Sequence, residues 1–173
     1  SIPFTSEKNA TRAVNYILKR GVIPSALEFM EREALKRSSE YLKEASINIE
    51  IPERIEAHLL VEVDGNDTDD LYNDAEIISE AISSLTEEDI SVAESTQEQD
   101  KLWKLRRVVG EAVKMGSIYK EVDTVVPRSI LPELLLMVKK IGEKYGFKTI
   151  CYGHAGDGNL HVNIMKEGLT DLQ

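Results

Sequence analysis

Two β-forming runs, Lys148-Thr149-Ile150-Cys151-Tyr152-Gly153-His154 and Asn159-Leu160-His161-Val162-Asn163-Ile164-Met165, flank Ala155-Gly156-Asp157-Gly158 near the end of the chain. An Asp-Gly pair between such runs is a strong short-range hairpin signal, because a type I′ turn needs positive φ at both central residues. With Asp157 and Gly158 at those positions, the register predicts His154 directly opposite His161, their Cβ atoms about 4.5 to 5.5 Å apart. Asn163 falls on the same face, while Leu160, Val162 and Ile164 point to the reverse, into a core. One side of the hairpin is therefore polar and the other apolar.

The remaining chain alternates helical and extended patterns. Ser6 to Lys19 spaces Ala10, Ala13, Val14, Ile17 and Leu18 as one buried helical stripe, with Ser6 able to cap its start and Gly21 to end it. Ala26 to Met30 is a short apolar run that reads as a strand, and Glu31 to Glu44 as a polar helix. His58 to Gly65 reads as a strand ending in a turn residue, and Thr68 to Ser84 as a helix through Leu71, Ala75, Ile78, Ala81 and Ile82. A strand near Ile90 to Ala93, a helix over Gln97 to Lys114 and a strand from Ile118 to Val126, stopped by Pro127, follow. Leu131 to Tyr145 is an amphipathic helix closed by Gly146. This order fits an α+β fold, an antiparallel sheet with helices packed on one face, better than a doubly wound parallel sheet. The acidic clusters Asn66-Asp67-Thr68-Asp69-Asp70 and Glu87-Glu88-Asp89 suit solvated turns and helix starts. No internal sequence repeat or low-complexity tract is visible.

Composition narrows the function classes. The 173 residues hold 31 Asp plus Glu against 21 Lys plus Arg, a net charge of −10. That surplus argues against a nucleic-acid backbone or an anionic membrane as main partner, since both need basic groups gathered on one face; a membrane contact is expected to be peripheral at most. A chain of 19.4 kDa can hide about 70% of its unfolded surface, enough for one sizeable core. The single cysteine, Cys151, excludes an internal disulfide and cysteine-based zinc modules and suits a reducing compartment. No apolar run approaches the ~20 residues of a membrane span, and the start Ser1-Ile2-Pro3-Phe4 does not resemble a signal peptide, so a cytoplasmic location is expected.

Two imidazoles facing each other can ligate one divalent metal, or they can be hydrogen-bonded surface groups. A catalytic metal would need a third ligand, and Asp157, in the turn itself, suits backbone N–H groups better. The spacing of Gly153, Gly156 and Gly158 is compatible with a phosphate-cradling loop, but no helix with an open N-terminus follows. A second set is basic: Arg106 and Arg107 end a helix, and Lys120 opens the next strand. An arginine fork and an ammonium brought to one pocket would bind a carboxylate; the alternative is a set of solvated or ion-paired surface groups. Trp103 reads as a core anchor and His58 as structural.

The segment Gly153-His154-Ala155-Gly156-Asp157-Gly158-Asn159-Leu160-His161-Val162-Asn163 resembles the C-terminal substrate (cap) domain of the FAD-linked 2-hydroxyacid oxidases and dehydrogenases, the family of the glycolate oxidase flavin subunit, D-lactate dehydrogenase and D-2-hydroxyglutarate dehydrogenase. Val126-Pro127-Arg128, Leu102-Trp103-Lys104-Leu105-Arg106, Leu60-Val61-Glu62-Val63-Asp64-Gly65 and Ile23-Pro24-Ser25-Ala26-Leu27-Glu28-Phe29-Met30 extend the resemblance over nearly the whole chain. It implies a duplicated ferredoxin-like domain lying over the flavin of an FAD held by a separate domain of the same chain. It implies that His154 and His161 ligate a divalent metal such as zinc and serve catalysis, that Asn163 lies beside the substrate, and that Arg106 and Lys120 hold the substrate carboxylate. It also implies an electron acceptor or iron-sulfur subunit as partner.

Two departures from the family pattern bear on activity. The Glu-His-Gly segment, which supplies the third metal ligand and a base, would follow Gln173, and the FAD domain would precede Ser1; on this reading residues 1–173 are a domain fragment, inactive alone. Gly110 stands where some members place a threonine contact. The expected reaction is hydride transfer from a small 2-hydroxy acid to flavin, with the metal lowering the pKa of the hydroxyl. The competing readings are a stand-alone, non-catalytic ferredoxin-like module that binds a ligand or metal, and a small metal hydrolase using His154, His161 and Asp157.

Overall fold

A computed structural model describes residues 1–115 and 119–166. The first half begins with a short strand β1 (Ile2–Phe4) and helix α1 (Glu7–Lys19), whose first turn is capped by Ser6 accepting from the Asn9 N–H. Strand β2 (Ala26–Glu31), helix α2 (Arg32–Glu44) and strand β3 (Ala57–Glu62) follow. Three helices then intervene: α3 (Thr68–Ile82), α4 (Thr96–Arg107) and α5 (Val109–Lys114). The second half is strand β4 (Tyr119–Val125), helix α6 (Leu131–Tyr145), strand β5 (Lys148–Gly153) and strand β6 (Asn159–Met165). Gly146 ends α6 at φ 75°, the left-handed cap that a glycine adopts without a Cβ clash.

The strands form one antiparallel sheet in the order β1-β3-β2-β5-β6-β4. The order is palindromic in kind. The first half (β1, α1, β2, α2, β3) and the second (β4, α6, β5, β6) meet where β2 pairs with β5 through Phe29–Gly153 and Met30–Tyr152; the first half carries the extra helix α2 between its last two strands.

Helices cover both faces of this sheet, which corrects the expectation of helices on one face. Alternate residues of the central strands are buried in opposite directions. Leu27, Phe29, Leu59, Cys151, Leu160 and Val162 face a core shared with α1, α3 and α6. Met30, Leu60, Ile150, Tyr152 and Met165 face a second core closed by α2, α4 and α5 through Leu35, Leu105 and Val109. Sequence periodicity hid this arrangement because β2 and β3 are short apolar runs without clean polar alternation.

Three further expectations change. Residues Ile90 to Ala93 form no strand; the segment is irregular and touches the sheet through the Ser91 N–H bonded to Ser1 O. The helix expected over Gln97 to Lys114 breaks at Val108 into α4 and α5. Of the strand expected from Ile118, that first residue lies outside the described residues.

The hairpin is built differently from the expected two-residue turn. Register pairs Tyr152, not His154, with His161, and Ile150 with Asn163. Residues 154–158 form a 3-10 turn in which Asp157 N–H and Asn159 N–H both donate to His154 O. The shift is by two residues, so every side chain keeps its predicted face. The glycines explain the change. A Cβ on Gly153 would stand 2.5 Å from Asn159 O, so β5 and β6 meet there at a distance that only glycine permits. Gly158, at φ 75°, presses on the Val126 carbonyl oxygen with no room for a Cβ.

Gly158→Ala should therefore cost about 3 kcal/mol or more in urea unfolding, combining left-handed strain with overpacking. Gly21→Ala, also at positive φ but with nothing within 4 Å, should cost only about 1–2 kcal/mol. Equal losses would mean that the 154–158 turn does not bear on the β4–α6 connection.

Candidate functional site

The site begins with a carboxylate in an unfavourable place. Glu28 alternates with Met30 along β2, so its side chain enters the sheet face of the second core, where the residue is only 5% exposed. An ionised carboxylate there is costly unless both oxygens are engaged. Both are. Oε2 accepts from Nε of Arg106, on the last turn of α4, at 2.8 Å, and Oε1 lies 2.7 Å from Nδ1 of His154. One buried acid from the middle of the sheet thus holds a residue from the inserted helices and one from the hairpin turn.

His154 and His161 do converge. Their ring centroids stand 6.2 Å apart in an edge-to-face arrangement, although they are not a cross-strand pair. Tyr152, the true partner of His161, lies between that ring and Arg106: its ring centroid is 5.1 Å from that of His161 and 5.4 Å from the Arg106 guanidinium carbon, a cation–π distance. Burial pushes the Tyr152 phenol above its ordinary range, partly offset by a hydrogen bond with Asn163. His161 Nδ1 lies 3.1 Å from Glu121 Oε1 and 3.6 Å from Asp123 Oδ1 on β4, contacts of charge without hydrogen-bond alignment.

A carboxylate beside Nδ1 fixes a tautomer. An ionised Glu28 can only accept, so Nδ1 of His154 carries the proton of this contact and Nε2 points away from it. Glu121 stands against the same nitrogen of His161. For His154 this is the support that metal-binding imidazoles commonly have; His161 has a carboxylate near the same nitrogen but no aligned hydrogen bond to it. Among the described residues, no group of three or more His, Cys, Asp and Glu side chains is arranged around one point. Asp157 therefore supplies no third ligand, and the hydrolase reading lacks its ligand set.

The other expected residues fall in different places. Asn163 is on the histidine face but buried, donating to Ile150 O at 3.2 Å. Lys120 is not brought to Arg106. It pairs with Ile164 next to Glu121, and since Glu121 turns to His161, Lys120 projects from the opposite face, exposed to solvent. Gly110 lies against Tyr152, its Cβ position 3.6 Å from the phenol oxygen. Trp103 packs against the second core, with Arg107 over its ring at 5.5 Å. His58 is partly buried, with Nδ1 3.2 Å from Ser1 Oγ, and desolvation lowers its pKa to about 4, which fits a structural role.

A cavity of about 490 Å³ opens beside His154, lined by Ile23, Pro24, Glu28, Arg128, Gly156 and Asp157. A separate apolar cavity of about 240 Å³, between β3, α3 and α4 and lined by Ile2, Leu60, Ile78 and Trp103, holds none of these charged groups.

Glu28 was the residue that sequence reasoning passed over. Its signal was present: a lone acid inside the apolar run Leu27-Glu28-Phe29-Met30, an arrangement that requires a buried partner. Glu28→Ala strands the Arg106 guanidinium and should cost about 3–5 kcal/mol of folding stability in urea titration. Glu28→Gln should cost less and should shift the His154 ring nitrogens in 15N NMR; an unchanged His154 spectrum would deny the contact.

The family of "FAD linked oxidases, C-terminal domain" matches residues 1–171. Among similar curated proteins are a D-lactate dehydrogenase of Anaerostipes hadrus, 31% identical over 96% of this chain and 36% of its own, and the glycolate oxidase subunit GlcD of Escherichia coli K12, 29% identical over 94% and 32%. A probable mitochondrial D-2-hydroxyglutarate dehydrogenase of Oryza sativa subsp. japonica is 30% identical over 87% of this chain and 27% of its own. The chain spans about a third of the length of these relatives. The solved structures of alkyldihydroxyacetonephosphate synthase and of 4-ethylphenol oxidase from Gulosibacter chungangensis share the fold at a TM-score of 0.55, with 12% and 11% identity, each over 94% of this chain and 34% and 38% of theirs. With the family pattern running from the first residue through the hairpin and the helices around it, this chain belongs to the C-terminal domains of the FAD-linked oxidases.

Proposed function

We propose that this chain is the substrate-binding domain of an FAD-dependent dehydrogenase or oxidase that removes hydride from a small 2-hydroxy acid. The observation that supports it most is the double grip of Glu28 on Arg106 and His154, which brings a guanidinium and an imidazole to one buried carboxylate. The similar proteins named for D-lactate, glycolate and D-2-hydroxyglutarate point to the same substrate class.

Arg106 binds the carboxylate. Glu28 occupies the Nε edge of the fork, so the terminal Nη pair is the part directed to a second, incoming carboxylate. The nearby Tyr152 ring keeps the guanidinium plane in place and excludes water beneath it. His154 and His161 face the 2-hydroxyl with Nε2; a divalent cation held on those two nitrogens would supply positive charge beside the hydroxyl oxygen. Asn163 acts from below by holding Tyr152 and the β5 backbone in position. Lys120 takes no part, given the face from which it projects.

The hydride acceptor of this reaction is FAD, held by a separate domain of the same polypeptide. Gly153, Gly156 and Gly158 are committed to close backbone packing and lead into a strand, which does not fit a pyrophosphate cradle. The complete polypeptide accordingly carries an FAD domain and passes electrons to an acceptor or a partner subunit. The mirrored strand order of the two halves, with α2 added to the first, supports a duplicated ferredoxin-like origin for the fold. The buried, unpaired Cys151 suits a cytoplasmic setting, and no helix among the described residues is long and apolar enough to cross a membrane.

In the complete polypeptide, Arg106→Ala should raise KM and lower kcat for the preferred 2-hydroxy acid, reducing kcat/KM on the order of 100-fold. Lys120→Ala should stay within about twofold of the unaltered enzyme. Steady-state rates on a panel of D- and L-2-hydroxy acids with an artificial acceptor measure both, and unchanged kinetics in the Arg106 variant would remove it from the site.

A further inference from the structure

Strand β4 lies at one edge of the sheet, and alternation along it sends charges of opposite sign to opposite faces. Lys120 projects away from the histidines, whereas Glu121 and Asp123 stand on their face, paired in register with Asn163 and His161. A row of side chains, Tyr152, His161 and Asp123, thus runs straight across β5, β6 and β4. Asp123 is engaged by the Asn159 amide, which donates to it at 2.6 Å, and its side chain is 64% exposed. Glu121 is closer to His161, 3.1 Å from Nδ1 against 3.6 Å, and its side chain is only 33% exposed. Burial is the first cause that raises the Tyr152 phenol and the Glu121 charge is the second, so the field of this carboxylate reaches the ring against which Arg106 rests.

We propose that Glu121 selects substrates by charge, admitting 2-hydroxy acids with a single carboxylate and disfavouring those whose side chain ends in a second one. The inference rests on the proposed function, which gives the first carboxylate to Arg106 and the 2-hydroxyl to the imidazoles. The contacts and the adjoining cavity place six charged groups around those imidazoles: the carboxylates of Glu28, Glu121, Asp123 and Asp157, and the guanidinium groups of Arg106 and Arg128. Glu28 already occupies one edge of Arg106, and Arg128 lines its cavity together with Asp157. On the β4 side of His161 the two facing charges are both negative. A second substrate carboxylate there meets like charge, and beside a partly buried carboxylate that repulsion exceeds its value in bulk water. An uncharged side chain meets none. D-lactate and glycolate carry one carboxylate and D-2-hydroxyglutarate two, so the names of the similar proteins do not make this choice, whereas the sign of Glu121 does. A cation on the imidazoles would act on the hydroxyl and carboxylate common to all these acids and so cancels from their comparison.

Steady-state kinetics of the complete, FAD-loaded polypeptide with an artificial acceptor tests this on a matched pair. 2-Hydroxypentanoate and 2-hydroxyglutarate, each in both enantiomers, share a carbon skeleton and differ in the terminal carboxylate. The unaltered enzyme should favour the monocarboxylate in kcat/KM by about tenfold or more. Glu121→Gln should shrink that ratio about tenfold, and Glu121→Lys on the order of 100-fold, enough to invert the preference by raising turnover of the dicarboxylate. A role confined to supporting His161 would lower both substrates together and leave their ratio unchanged, and that result would overturn the proposal. So would an unaltered enzyme that prefers 2-hydroxyglutarate. Flavin content and circular dichroism check the fold of each variant, and the nearly isosteric Glu121→Gln carries the test if the lysine variant does not fold. An unaltered enzyme that oxidises no member of a wider 2-hydroxy acid panel would defeat the functional reading itself, and this inference with it.

Discussion

A carboxylate buried in the middle of a β-sheet must be answered by partners from elsewhere in the chain, and the answer given to Glu28 organises this molecule. Its two oxygens reach in different directions, one to the end of α4 and one to the turn between β5 and β6. Breaking either contact would leave a charge in a low-dielectric setting, so the inserted helices and the second half of the fold are tied to the first half by one residue. The join at β2 and β5 is short, with Phe29–Gly153 and Met30–Tyr152 as its register pairs. Glu28 lies one residue beyond that pairing and extends the connection by side chain.

The same tie makes chemistry available. A guanidinium alone on a surface helix would be mobile and screened, and an imidazole in a turn would sample several orientations. Anchored through Nε and Nδ1, each presents its remaining nitrogen groups in a defined direction, the preorganisation on which the proposed binding of a small anionic substrate rests. The Tyr152 ring, between the arginine and His161, fills the gap that water would otherwise enter. The glycines of the hairpin serve this geometry by letting β6 and the β4–α6 connection approach closely enough to place His154 over Glu28.

Much of this was legible in the residues. Helical spacing located α1, α3 and α6, and the caps at Ser6 and Gly146 marked their ends because side-chain oxygen and positive φ are local requirements. The face of His154 and His161 was also legible, since a register error of two residues preserves alternation. What could not be read were the features set by distant contacts. The second helical layer depends on α2, α4 and α5 folding back over strands too short to show their two-sided burial. Lys120 was paired with Arg106 by proximity in sequence, whereas strand alternation on β4 sends it away. Glu28 hid within an apolar run, and its meaning required knowing that Arg106, far along the chain, would reach it.

The most direct test of the account is a crystal structure of the complete polypeptide with a non-reacting 2-hydroxy acid analogue bound. The carboxylate should sit on the Nη groups of Arg106 and the 2-hydroxyl within reach of His154 and His161 Nε2, with Glu28 still bridging the two anchors. An analogue bound on the α6 side of the sheet, or Arg106 turned away to another partner while the ligand is in place, would contradict it.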